Sequence, residues 1–224
     1  MIKVYGHRGN SSQFKENTIE SFESAFKLGA HGVELDVQLS LDGEIVVIHD
    51  ENIKRTTSVD AEVKSLTYSE LKKYNIPLLR DVIVLAQNYN AEINIELKTN
   101  RYDYAGIEKK VYDLIAELDY FNKIIISSFN KQSIINMFEI DNKVKCALIY
   151  GRDFEYLTAL NGIKLYAVHP EASTMSKDII NKLKDDDCVV NLWISAELRE
   201  FAEFVIDLCP NGIITNFPEQ YIAR

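Results

Sequence analysis

The stretch GVELDVQLSLDGEIVVIHD, residues 32–50, decides how this chain folds. Side chains on a strand alternate between faces, so Val33, Leu35 and Val37 share one side while Glu34, Asp36 and Gln38 share the other. The plainest reading is a half-exposed strand with a solvated acidic face. Two neighbouring carboxylates are costly to bury unless something positive lies between them. Behind the strand, the Asp42-Gly43 turn signal and the β-branched run IVVI specify a hairpin. Too few residues intervene for a crossover to the far end of a sheet. A turn centred on that pair returns antiparallel and brings His49 close to Asp36 across the ladder.

Outward from this stretch the chain alternates short apolar strands with amphipathic helices. The strands are expected at 2–6, 32–38, 92–98, 123–129, 144–150, 164–169, 188–194 and 212–216. ENTIESFESAFKLG places Ile19, Phe22 and Phe26 on one core-facing stripe and stops at Gly29, a C-cap. IPLLRDVIVLAQNY, DYAGIEKKVYDLIAELDY, NKQSIINMFEI, SKDIINKLKD and AELREFAEFVIDL have the same helical spacing. Eight strands apolar on both faces, separated by seven crossings, indicate a parallel sheet covered by helices. Eight is the number that closes a (β/α)8 barrel. An open doubly wound sheet is the alternative, but GHRGN after the first strand does not carry the Gly-rich phosphate fingerprint. The chain is read as a single α/β barrel domain over 1–224, with the hairpin and a short polar insertion at 51–75 after the second strand.

The 224 residues are 46% hydrophobic and 26% charged, an ordinary globular balance with no low-complexity tract. No apolar run approaches the ~20 residues of a membrane span, and the N-terminal MIKVYGHRG lacks a secretory core, so a cytoplasmic location is expected. Cys146, Cys188 and Cys209 are scattered in apolar surroundings and are expected as buried thiols. The net charge of -9 argues against a nucleic-acid or membrane-surface binder. An anionic substrate then needs a locally positive site.

Such a site is legible at the strand ends. The first strand runs into His7-Arg8-Gly9, the hairpin returns His49-Asp50, and EINIELK puts Asn94, Glu96 and Lys98 on one face. In a parallel barrel all carboxyl ends share one rim. Any one strand-borne acid taken alone is better explained as solvated or structural, by roughly four to one. Together, Glu34, Asp36 and Glu96 make an oxygen cage suited to Mg2+ or Ca2+. The cation relieves their repulsion. Arg8 and Lys98 beside it attract phosphate, and His7 and His49 form an acid/base pair. His31 is read as a surface residue, His169 as a strand terminator outside the catalytic set, and Trp193 as core or pocket wall.

At these residues the sequence resembles the glycerophosphodiester phosphodiesterase family. The matching pieces, in order, are HRG (7–9), ENT (16–18), ELDVQLSLDG (34–43), VVIHD (46–50), RTT (55–57), IELK (95–98), SSF (127–129), HP (169–170) and the tryptophan of the seventh strand. The resemblance implies a (β/α)8 barrel that hydrolyses glycerophosphodiesters to glycerol 3-phosphate and an alcohol with one divalent cation. Carried over, Glu34, Asp36 and Glu96 bind metal, His7 and His49 are the acid/base pair, and Arg8 and Lys98 hold phosphate. Glu16 helps organise the site, Asp50 orients His49, and Phe129 and Trp193 wall the glycerol side. The family carries an aspartate in its C-terminal ITD motif where this chain reads ITNFP, and Asn216 is expected to be structural. The insertion at 51–75 is short for the family, which bears on leaving-group preference. Two rival readings are a lipid-directed phosphodiesterase and a barrel that binds glycerophosphodiesters without cleaving them.

Overall fold

The computed structural model of the chain describes residues 1–150, 159–160, 162–194 and 202–222. Among them are β1 (Lys3–His7), β2 (Gly32–Leu39), β3 (Ile45–Val47), β4 (Glu92–Leu97), β5 (Ile124–Ser128), β6 (Cys146–Tyr150), β7 (Ala159–Leu160), β8 (Ile163–Lys164), β9 (Ala167–Pro170), β10 (Val189–Trp193) and β11 (Gly212–Thr215). Strands β1, β2, β4, β5, β6, β9, β10 and β11 pair in that order, all parallel, and β11 pairs back with β1. The sheet is therefore a closed eight-stranded barrel. Outside it, β3 lies antiparallel on β2, with Val37 opposite Val47 and Leu39 opposite Ile45. That is the hairpin the Asp-Gly signal specifies, with Gly43 at φ +78.

The helices are α1 (Ile19–Lys27), α2 (Lys54–Thr57), α3 (Tyr68–Leu71), α4 (Leu79–Tyr89), α5 (Ile107–Glu117), α6 (Lys131–Ile140), α7 (Lys177–Asp185), α8 (Ala202–Asp207) and α9 (Glu219–Ile222). Caps set their starts: Thr18, Asn130 and Ser176 side chains accept the N–H groups of Ser21, Gln132 and Ile179. Two helices start later than their periodicity predicts. Ile76 joins a different apolar cluster, and Gly106, at φ +80, breaks the run ahead of Ile107. Residues 196–201 of the expected helix before the last strand lie outside the described residues. The expected strand at 164–169 is split, because β8 takes its partner from β7 and the barrel strand starts at Ala167.

The alternation of β2 works on two buried sides, and all eight of its residues are buried. Val33, Leu35 and Val37 pack outward with Phe22, Leu79 and Ile83 in the main core between sheet and helices. Each such side chain contributes about 1.5–3 kcal/mol. Glu34, Asp36 and Gln38 are 3%, 0% and 0% exposed, so the solvated acidic face is wrong: these groups point into the barrel. The insertion at 51–75 is also not simply polar. Ile53, Val63 and Leu71, with Val46, Ile48 and Ile76, form a second, smaller core on the far side of β3. Cys146 and Cys188 are buried as expected; Cys209 is exposed, on a turn at φ +53. No helix among the described residues is long and apolar enough to cross a membrane.

One glycine is dictated by contact. Gly9, at φ +87, lies so near α1 that a Cβ would meet Ser21 Oγ at 2.4 Å and the Ser21 carbonyl carbon at 2.6 Å. Gly9→Ala is expected to destabilise the fold by about 1–3 kcal/mol through strain and displacement of α1. A denaturant midpoint unchanged from wild type is the result that contradicts it.

Candidate active site

Strand register assembles the acids. Parallel pairing sets His7 beside Glu34 and Asp36 beside Glu96. One carboxylate oxygen from each of Glu34, Asp36 and Glu96 lies within 4.8 Å of the others. Asp36 is clamped from several sides. Its Oδ2 accepts from Asn17 Nδ2 at 2.9 Å and stands 3.4 Å from Arg8 Nε, while Lys98 Nζ is 3.9 Å from Oδ1. Lys98 also donates to Glu96 Oε1 at 3.0 Å. The Arg8 backbone N–H reaches Glu34 Oε2 at 3.1 Å from a left-handed turn at φ +56.

The charge balance at this cluster is uneven. Burial, then Asp36 and Glu96, push Glu34 well above the carboxylate range. Burial and the Asp36 charge raise Glu96 to about 7. Burial also pushes Asp36 up, but Arg8, His49 and Lys98 outweigh it and hold Asp36 below its ordinary value. Asp36 Oδ1 is buried without a hydrogen-bond donor. Crowded, partly unsatisfied, hard oxygen donors fit a divalent cation.

Both histidines have their Nδ1 atoms engaged. His7 Nδ1 is 2.6 Å from Asn216 Oδ1, which also accepts from Ser11 Oγ at 3.1 Å. His49 Nδ1 is 2.6 Å from Asp50 Oδ1. An Nδ1–H donated to an oxygen leaves Nε2 as the working nitrogen in the neutral ring. Burial, and next the Arg8 charge, lower His7 to about 4, so it is neutral at pH 7. Its Nε2 stands 3.7 Å from Glu34 Oε2. His49 is positioned by its backbone. Ile48 N–H bonds the Asp36 carbonyl, and Gln38 Nε2 donates to the carbonyls of Ile48 and His49. The hairpin therefore carries His49 back to the acids, as its turn predicts.

A cavity of about 180 Å3 joins these groups. The strands β1, β2 and β4 and the hairpin line it with His7, Arg8, Glu34, His49 and Glu96. The other half of the barrel supplies Phe129, Ile149, Trp193 and Ile214. Trp193 Nε1 donates to the Tyr150 carbonyl at 2.8 Å, which fixes the ring as a wall. Glu16 bonds Arg8 Nη1 at 3.0 Å. All eleven residues singled out in the sequence thus lie in or directly against one site.

Several participants were missed or misread. Asn216, expected to be structural, holds the His7 ring. Asn17 and Gln38 bind Asp36 and the His49 backbone; Asn17 was within reach, since it is the centre of the ENT match. His169 ends β9 with Pro170, as expected, and lines the same cavity; it is fully buried between Asn94 and Asn191, and burial lowers it to about 3. His31 is half-buried, and its Nδ1 accepts the Val4 N–H at 3.1 Å.

The closed parallel barrel thus gathers acids, cations and histidines at its strand ends. The family model described as "Glycerophosphoryl diester phosphodiesterase family" matches residues 7–220. A glycerophosphodiester phosphodiesterase from Caldanaerobacter subterraneus subsp. tengcongensis is 35% identical over 98% of this chain and 96% of its own. The crystal structure of a glycerophosphodiester phosphodiesterase from Thermotoga maritima superposes with a TM-score of 0.79 at 27% identity, covering 100% of this chain and 98% of that one. At 22% identity, a phosphodiesterase from Oleispira antarctica, solved with the product sn-glycerol-3-phosphate, shares the fold with a TM-score of 0.80 over 99% and 95% of the two chains. The chain belongs to the glycerophosphoryl diester phosphodiesterase family and is an enzyme, a phosphoric diester hydrolase.

Proposed function

We propose that this protein hydrolyses glycerophosphodiesters to glycerol 3-phosphate and an alcohol in a reaction that depends on Mg2+ or Ca2+. The observation that carries the reading is the set of three buried carboxylate oxygens within 4.8 Å of one another, with Glu34 and Glu96 of that set lining one cavity with both histidines. Glu34, Asp36 and Glu96 would hold the cation, which supplies charge neutralisation at the phosphodiester oxygens. Arg8 and Lys98 add fixed positive charge at the same place. His7, neutral and with Nδ1–H committed to Asn216, accepts the nucleophile's proton at Nε2. His49 then delivers a proton to the departing alkoxide, its ring aligned by Asp50. Phe129 and Trp193 wall the glycerol side.

The test is a panel of glycerophosphocholine, glycerophosphoethanolamine, glycerophosphoinositol and lysophosphatidylcholine, each with Mg2+, Ca2+ or EDTA. Glycerol 3-phosphate is expected from the water-soluble diesters with added cation and not with EDTA. Release from none of them, with either cation, overturns the reading. Phe129 is 38% exposed beside the apolar half of the cavity, which is why the lipid substrate is included. Turnover confined to lysophosphatidylcholine would move the assignment to a lipid-directed phosphodiesterase.

A further inference from the structure

Arg55 is the first residue of the RTT stretch and sits on the single turn of α2, in the insertion that follows the hairpin. It does not line the cavity, yet every nitrogen of its guanidinium is engaged. Nε donates to Asp50 Oδ2 at 2.5 Å, Nη1 to Glu16 Oε2 at 2.8 Å and Nη2 to Glu16 Oε1 at 2.7 Å. Each acceptor is itself tied to a group in the cavity. Asp50 uses its other oxygen for His49 Nδ1, and Glu16 Oε1 also receives Arg8 Nη1. Arg8 in turn faces Asp36. One guanidinium thus joins two chains of contacts, one ending on an imidazole and the other on the acid cluster.

We infer that Arg55 is the positioning residue of this site, holding the His49 ring through Asp50 and the Arg8 guanidinium through Glu16. The three segments it connects, the β1–α1 loop, the end of the hairpin and α2, have no shared secondary structure to fix their spacing. A planar fork with three donors in fixed directions spans both carboxylates at once, and a lysine ammonium reaches only one. Burial pushes Glu16 and Asp50 up, and Arg55 heads the opposing contacts that hold both below their ordinary values. Both therefore stay ionised as acceptors for the groups they orient. The Arg55 side chain is 48% exposed, so its ion pairs contribute little to global stability. Its contribution lies in geometry, and it rests on the proposed roles of His49 and Arg8.

The experiment compares Arg55→Ala, Arg55→Lys, Asp50→Asn, Asp50→Asn/Arg55→Ala and His49→Ala in the glycerol 3-phosphate assay with cation present, alongside thermal melting. Misplacing a reacting group by about 1 Å costs on the order of 100-fold. Arg55→Ala is expected to lower kcat by roughly 10–100-fold, with melting within about 4 °C of wild type. Arg55→Lys should fall between the two, because it keeps one carboxylate contact. The Arg55→Ala loss should be smaller in the Asp50→Asn background than in wild type. An inactive His49→Ala beside Arg55→Ala at wild-type kcat overturns the assignment of Arg55 alone. Losses that multiply fully in the double variant also overturn it. Wild-type turnover by His49→Ala overturns the histidine mechanism beneath it.

Discussion

His7→Ala and His49→Ala are each expected to lower turnover of glycerophosphocholine by ~100- to 10,000-fold, the range that general acid–base groups contribute. The two losses have different structural sources. Removing His7 deletes a neutral imidazole whose Nδ1 is taken by Asn216, leaving no acceptor beside Glu34. Removing His49 deletes the only imidazole among the described residues whose Nδ1 is paired with a carboxylate. Both folds should survive, since both rings are partly exposed and neither belongs to an apolar core. Asn216→Leu offers a milder version of the first, with the His7 ring present but unaligned. Activity within tenfold of wild type in either alanine variant removes that histidine from the mechanism.

The second large effect concerns the cation and pH. Burial and the Asp36 charge raise Glu96 from an ordinary 4.5 to about 7, and burial raises Glu34 as well. A carboxyl group with a raised folded-state pKa adds stability below its unfolded value and loses it as pH rises through the folded value. His7 and His169 act with the opposite sign. Lowered to about 4 and about 3, they add stability above 6.5 that is lost as pH falls below it. Melting against pH therefore mixes two trends, and the difference between cation-loaded and cation-free protein isolates the acid cluster. At a hundredfold excess over Kd, Mg2+ or Ca2+ is expected to add about 2.7 kcal/mol at pH 8. That corresponds to roughly 5–10 °C for a chain of this size, shrinking towards pH 5 as the carboxylates take up protons. Asp36→Asn and Glu96→Gln should abolish the shift. Equal melting with and without cation at pH 8, together with full turnover in EDTA, would contradict the metal role.

Most of the barrel was legible because its signals are periodic. The alternation in GVELDVQ and EINIELK gives strand and face together, and one turn pair gives the hairpin. Strands in a closed parallel sheet must present their carboxyl ends on one rim, so convergence of Glu34, Asp36 and Glu96 needs no further information. What stayed hidden depends on contacts across the closure of the sheet or between loops. Asn216 meets His7 only because β11 pairs with β1, and no local pattern carries that contact. His169 is read correctly at a strand end from its proline, but its two amide partners, Asn94 and Asn191, come from other strands and leave no local signal. The apolar residues of the insertion, Ile53, Val63 and Leu71, are spaced without a period, since they fold around the back of β3 as short turns. Their burial is set by the partner surface, which a linear reading does not display.

The contact between His7 and Asn216 spans 209 positions along the polymer. The imidazole belongs to β1 and the amide that aligns it follows β11, so nearly the whole barrel is synthesised between them. Until β11 and the residue after it are made, the ring lacks its partner oxygen. Alignment of the His7 ring therefore depends on the seam where β11 pairs with β1, and a barrel open at that seam leaves the imidazole without its amide partner.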